Sequence, residues 1–213
     1  ISINRNKIIV GAGVTLSNCA QAAAKKGLSG MEELAGIPGS IGGAAYMNAG
    51  AYGGELVDVF QSAEILLADG TIVTYTKDMM DFSYRHSALQ HTKSIVLNVT
   101  FTLEKGQPEK IQEVMHDLTE KRESKQPLEY PSCGSVFKRP EGHFTGKLIQ
   151  DANLQGLKWG GAQISEKHAG FIVNIDGATA TDYVELIQHI QKVILETFNV
   201  TLEPEVRIIG REK

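Results

Sequence analysis

Cysteine is nearly absent from this chain, with only Cys19 and Cys133 among 213 residues. Two thiols so placed form neither a disulfide framework nor a metal-ligand spacing, and a reduced, cytoplasmic compartment is the expectation. The six histidines (His86, His91, His116, His143, His168 and His189) make no His-x-x-x-His pair and none joins a cysteine at ligand spacing, so no metal is expected. Apolar runs of the ~20 residues needed to cross a bilayer are missing, and the opening ISINRNKIIV lacks a signal-peptide layout, which argues against a membrane partner. Basic clusters interleaved with aromatics are missing too. Lys and Arg (21) are dispersed against 25 Asp and Glu, for a net charge of -4, and nucleic acid is not expected as a partner. There is no Met at position 1, and the abrupt start in the lead-in to a strand reads as a fragment, or as a chain whose first part was removed.

The common nucleotide signatures are incomplete. Gly11-Ala12-Gly13 follows a strand-like run, but Leu16 stands where a dinucleotide fingerprint needs its third glycine. GIPGSIGG is not followed by the Gly-Lys-Ser/Thr of a phosphate loop. Ser135-Val136-Phe137-Lys138 has the Ser-x-x-Lys spacing of certain acyl enzymes, yet neither Ser-Asp-Asn nor Lys-Thr-Gly accompanies it. For His168, in KHAGFIVN, a strand-end histidine hydrogen-bonded locally is the expectation.

What is present fits a globular α+β protein of one large or two small domains, 42% hydrophobic and 22% charged. Residues 7–10 read as a strand, and the run from 15 to 27 as a helix with Thr15 as N-cap and Gly27 as stop. AEILLADGTIVTYT is two apolar runs around Asp69-Gly70, a hairpin signal, and Ile95, Leu97, Val99, Phe101 and Leu103 alternate with more polar neighbours as one strand face. Gly106-Gln107-Pro108 breaks the pattern, which divides the chain into residues 1–104 and 105–213. Beyond it Ile111, Val114, Met115 and Leu118 define a helical face. A loop over 127–144, a short helix at 147–152, a strand at 170–175 and a helix from Asp182 to Phe198 follow. That last helix is capped at Asp182, buries Val184, Ile187, Ile190 and Ile194, and precedes a closing strand in VTLEPEVRIIG.

The stretch GIPGSIGGAAYMNAG at 36–50 offers almost no side chains. Such a backbone serves a tight turn, a phosphate cradle or a flat cofactor lying on the main chain. Taken in order, GIPGSIGGAAYMNAGAYGGE, FSYRHS, CGSVFKRP, KLIQDANLQGLKWGGAQISEKHAGFIVN and LEPEVRIIG resemble the UDP-N-acetylenolpyruvoylglucosamine reductase family, also called UDP-N-acetylmuramate dehydrogenase or MurB, from about Lys7 to the C-terminus. The resemblance implies part of a vanillyl-alcohol-oxidase-type FAD-binding domain over 1–104 and a substrate-binding domain over 105–213. It implies a cytoplasmic, monomeric enzyme of peptidoglycan synthesis that uses FAD and NADPH to reduce the enolpyruvyl group of a UDP-sugar. It places the catalytic groups at Arg85, Ser135 and Glu205, where by sequence alone Glu203 would serve as well as Glu205. It places cofactor contacts at Ile37, Pro38, Gly39, Ser40, Gly42, Gly43 and Asn48. The family's first FAD subdomain, with its Gly-x-Gly-Ser-Asn loop, has no counterpart here, and Ser17-Asn18 lies in the first helix. The interval from Arg85 to Ser135 is short, which resembles the type II form, and Arg139 stands where many relatives have asparagine. Two other readings stay open: a flavin oxidoreductase of the same fold with another substrate, and an inactive sugar-nucleotide-binding fragment.

Overall fold

The computed structural model describes residues 1–210. It forms two compact units, Ile1–Arg122 and one beginning at Glu123, each with its own core.

In the first unit a five-stranded antiparallel sheet runs in the order Ser2–Asn4, Lys7–Gly11, Ile95–Thr102, Phe60–Leu66, Ile72–Thr76. The hairpin at Asp69-Gly70 forms as its sequence requires: Gly70 takes φ +87° and the Leu67 amide donates to Thr71 O at 2.8 Å. The helix Leu16–Lys25 starts where Thr15 accepts the Asn18 amide at 3.2 Å, and it buries Leu16, Cys19, Ala20, Ala23 and Ala24. Burial pushes the Cys19 thiol up to about 11, so it sits in the core as a neutral apolar group.

Strand Ile95–Thr102 departs from the simple alternation. Glu64 pairs with Asn98 but Ile65 with Val96, so Leu97 is an extra residue against its neighbour. This bulge swaps the faces on one side of it, as a one-residue insertion must. Val99 and Phe101 are buried, while Ile95 is 63% exposed and Val96 packs toward the core in its place. Helix Pro108–Lys125 buries Ile111 and Met115 in the first unit's core and leaves Val114 exposed, so its apolar stripe is narrower than the sequence pattern indicates.

The second unit packs helix Ala180–Phe198 and helix Thr145–Asp151 against a four-stranded antiparallel sheet, ordered Ser132–Ser135, Phe171–Asn174, Ala162–Ile164, Lys158–Trp159. The cap of the long helix is Thr179, not Asp182. Thr179 accepts the Asp182 amide, and the Asp182 carboxylate accepts the Thr179 amide in return. Hydrogen bonding from the Thr179 amide first, then from the Thr179 side chain and the Gly161 amide, holds the Asp182 carboxyl below its usual range. Its buried face is Leu186, Ile187, Ile190 and Ile194, with Leu186 in place of the expected Val184.

The segment 127–144 is not wholly a loop, because Ser132–Ser135 joins the sheet. Conversely VTLEPEVRIIG makes no strand. Pro204 has no amide to donate, and the segment is held by a single bridge to Phe137, with Lys138 N donating to Glu203 O and Glu205 N to Val136 O.

Candidate active site

In the first unit the bare stretch 36–50 folds as a turn followed by helix Ile41–Met47, whose N-cap Ser40 accepts the Gly43 amide. It lies beside the equally bare loop 11–14. Leu16 N donates to Gly39 O, Ile41 N to Val14 O and Gly42 N to Ala12 O, at 2.8 to 3.0 Å. Glycine serves two purposes here. A Cβ on Gly42 would come within 3.0 Å of the Ala12 methyl, so this residue lets the two loops touch. A Cβ on Gly11, Gly13 or Gly39 would meet nothing within 4 Å, so open space lies over adjoining main chain that carries no side chains. Such a surface fits a flat ring system better than a compact anion. The amides of Ile37, Ile41, Gly42 and Gly43 are already committed to partners within the protein, and Pro38 has none.

Asn48 closes this helix in a left-handed conformation (φ 43°) and is fully buried. Its Nδ2 donates to Glu55 Oε2 at 2.9 Å and to Ser83 O at 3.0 Å, and its Oδ1 accepts the Val57 amide at 3.0 Å. Both donor hydrogens of the carboxamide are used inside the fold.

Arg85 sits in a tight turn closed by Ser83 N to His86 O and His86 N to Ser83 O. Its backbone is left-handed, φ 54°, in a position where glycine or asparagine is the ordinary choice. The turn is pinned from several sides: Gln90 Nε2 donates to Arg85 O and Tyr46 O, and the buried Ser87 hydroxyl donates to Tyr46 O at 2.8 Å. The guanidinium donates from Nη2 to Gly50 O at 2.8 Å, has Glu55 Oε1 3.8 Å from Nη1, and lies over the Tyr84 ring at 4.9 Å. A cation so held is aimed rather than left to wander in solvent.

In the second unit Ser135 ends the edge strand, exposed, one residue after Gly134 in its left-handed conformation (φ +81°). The Glu205 amide donates to the carbonyl of Val136, the residue after Ser135, at 2.8 Å. The fold thus brings Ser135 and Glu205, 70 positions apart in sequence, to one strand end. Glu203, the competing carboxylate, is engaged in an ion pair with Lys138 at 2.6 Å. Arg139 covers the Phe144 ring at 3.9 Å and donates to His143 O.

Motif resemblance names Arg85, Ser135 and Glu205, but it gives no sign of Ser83 and Gln90 and little of Glu55, which surround Arg85 in the fold. Their roles depend on contacts between residues 5 to 35 positions apart that no spacing rule encodes. The final Gly-Glu of GAYGGE was the only available sign of Glu55.

Residues 1–76 match the model of an FAD binding domain, and residues 126–209 match that of the C-terminal domain of UDP-N-acetylenolpyruvoylglucosamine reductase. The chain is 68% identical to the UDP-N-acetylenolpyruvoylglucosamine reductase of Enterococcus faecalis over 212 residues, covering 100% of this chain and 71% of that protein. It is 56% identical to the enzyme of the same name from Pediococcus pentosaceus, again over 100% of this chain and 71% of the relative. The crystal structure of the Thermus caldophilus reductase superposes with a TM-score of 0.84 at 38% identity, covering 96% of this chain and 73% of that one. On two domain matches in order and high identity along its whole length, the chain belongs to the UDP-N-acetylenolpyruvoylglucosamine reductase family.

Proposed function

We propose that this chain reduces the enolpyruvyl group of a UDP-N-acetylglucosamine ether to UDP-N-acetylmuramate for peptidoglycan synthesis, working as a cytoplasmic monomer with residues 1–104 serving the cofactor and 105–213 the substrate. The observation that carries the reading is Arg85, a guanidinium fixed by Gly50 O and Glu55 in a turn whose backbone disfavours arginine. Ile37, Pro38, Gly39, Ser40, Gly42 and Gly43, with Asn48 at the end of the helix that follows, would hold FAD, which when bound would supply the hydride provided by NADPH.

The remaining chemistry falls to the protein's own side chains. Arg85 binds the enolpyruvyl carboxylate and opposes the negative charge that grows there as the double bond accepts the hydride. Ser135 Oγ gives its proton to the neighbouring carbon, which then bears the excess electron density. An alcohol is a weak acid, but protonating an enolate-like carbon is strongly downhill, so a positioned hydroxyl suffices. Glu205, tied to the same strand end, steadies that proton transfer.

The test separates the two halves of the cycle. In Ser135→Ala, NADPH should reduce bound flavin at the parent rate, while turnover of the enolpyruvyl sugar nucleotide should slow by about 10² to 10⁴, the usual contribution of a general acid. Equal loss of both half-reactions would assign Ser135 a structural role, and failure of the parent chain to take up flavin would sink the reading as a whole.

A further inference from the structure

We propose that Asn48 and Glu55 are positioning residues for Arg85, together setting where its guanidinium points; the inference rests on the reading of Arg85 given above. Asn48 is the hub. One of its two donor hydrogens holds Ser83 O, at the start of the turn that presents Arg85, and the other holds Glu55 Oε2, in the carboxylate that faces Arg85. A single buried side chain therefore fixes the backbone behind the arginine and the anion beside it. The orientation of the carboxamide is unambiguous, because the Val57 amide can only donate and so must meet Oδ1.

Glu55 is held from a second direction. Its side chain accepts the Asp58 amide and its own amide donates to Asp58 Oδ2 at 2.8 Å, a reciprocal pair at the start of helix Leu56–Val59. The 3.8 Å from Glu55 Oε1 to Arg85 Nη1 exceeds a hydrogen bond, so the carboxylate attracts and orients the guanidinium without capping it. Gly50, whose carbonyl takes the Nη2 hydrogen, pairs with Glu55 in a two-residue ladder, so these two contacts of the guanidinium come from paired strands. Asparagine suits the hub because a second carboxylate there would repel Glu55 and compete with the substrate for the arginine. Orienting Arg85 before the substrate arrives removes an ordering cost from binding its carboxylate.

The experiment uses the whole chain labelled with ¹⁵N-arginine, in which the Arg85 side-chain signals are identified by their loss in Arg85→Lys. In Glu55→Gln, which keeps size but removes charge, these signals should shift and exchange with solvent about tenfold faster. KM for the enolpyruvyl sugar nucleotide should also rise about tenfold, the scale of one polar interaction. Flavin reduction by NADPH should stay within about twofold of the parent, a split that a general loss of structure would not produce. Glu55→Asp, which retains the charge, should recover most of the protection, and it decides the matter by the same signals if Glu55→Gln does not fold. Unchanged Arg85 signals with an unchanged KM would overturn the proposal. A parent chain that turns over no substrate, but whose Arg85 signals collapse in Glu55→Gln, would instead reject the catalytic reading and keep the positioning pair.

Discussion

At the scale of single residues, the molecule accepts a local penalty at the cation proposed to bind the substrate carboxylate. A non-glycine residue in the left-handed region costs roughly 1–2 kcal/mol, and such outliers gather at functional sites. Arg85, at φ 54° between Tyr84 and His86, is one of them. Comparing Arg85→Gly with Arg85→Ala isolates that penalty, since both lose the same side-chain contacts. Glycine should be the more stable by about 1 kcal/mol, or about 2–4 °C in Tm for a chain of this size, the reverse of the ordering inside a helix. Calorimetry of the two variants checks this, and equal melting temperatures would remove the strain account. Arg85 could be named from its motif, but neither the sign of its φ nor its braces could be read there. Asn48 shows the limit clearly. The resemblance placed it among the cofactor contacts, and nothing in its spacing indicates that both its amide hydrogens go to Glu55 Oε2 and Ser83 O.

At the scale of elements, sequence patterns succeeded where local rules suffice and failed where a partner decides. The Asp69-Gly70 hairpin and the Thr15 cap are short-range, and both formed. The bulge at Leu97 depends on the register of a strand more than 30 positions away, so the exposure of Ile95 could not be foreseen. The closing segment lost its strand to Pro204, and the long helix begins at Thr179 because threonine there completes a reciprocal cap with Asp182. The turn 165–171 behaves as expected of a strand-end histidine and carries a pH dependence. Ser165 Oγ accepts the amides of Lys167 and His168, and His168 Nδ1 accepts the Gly170 amide at 3.1 Å. Burial lowers the His168 pKa, because the charged ring is disfavoured inside the turn, and a proton on Nδ1 would also abolish the Gly170 bond. The unfolded chain therefore binds the proton first as pH falls below about 6.5, and folding loses stability between that value and the lower folded-state pKa. Urea midpoints should be level above about pH 7 and decline toward pH 5.5, and His168→Asn, whose Oδ1 can still accept the Gly170 amide, should flatten the part of the slope due to this residue. An undiminished slope in that variant would assign the effect to other groups.

At the scale of the whole molecule, the open question is which part of the chain owns helix Pro108–Lys125. The family models match 1–76 and 126–209, so this helix belongs to neither match. A boundary at 104/105 follows the break at Gly106-Gln107-Pro108, yet the compact unit extends to Arg122. The reason is apolar: Ile111 and Met115 are each 5% exposed and are members of the first core, and a Cβ on Gly106 would lie 3.1 Å from the Ile111 side chain. Burying two such side chains is worth about 1.5–3 kcal/mol apiece, less some discount for residual burial in the unfolded chain. A chain comprising residues 1–125 should therefore be more stable than one comprising 1–104 by about 2–4 kcal/mol, read as the difference in urea unfolding free energy. Because the helix is mostly polar apart from a buried stripe of Ile111 and Met115, it has little stability of its own and should melt together with the first core. Equal stability of the two fragments would instead show that the helix adds nothing to the cofactor-side fold and would place the working boundary at residue 105.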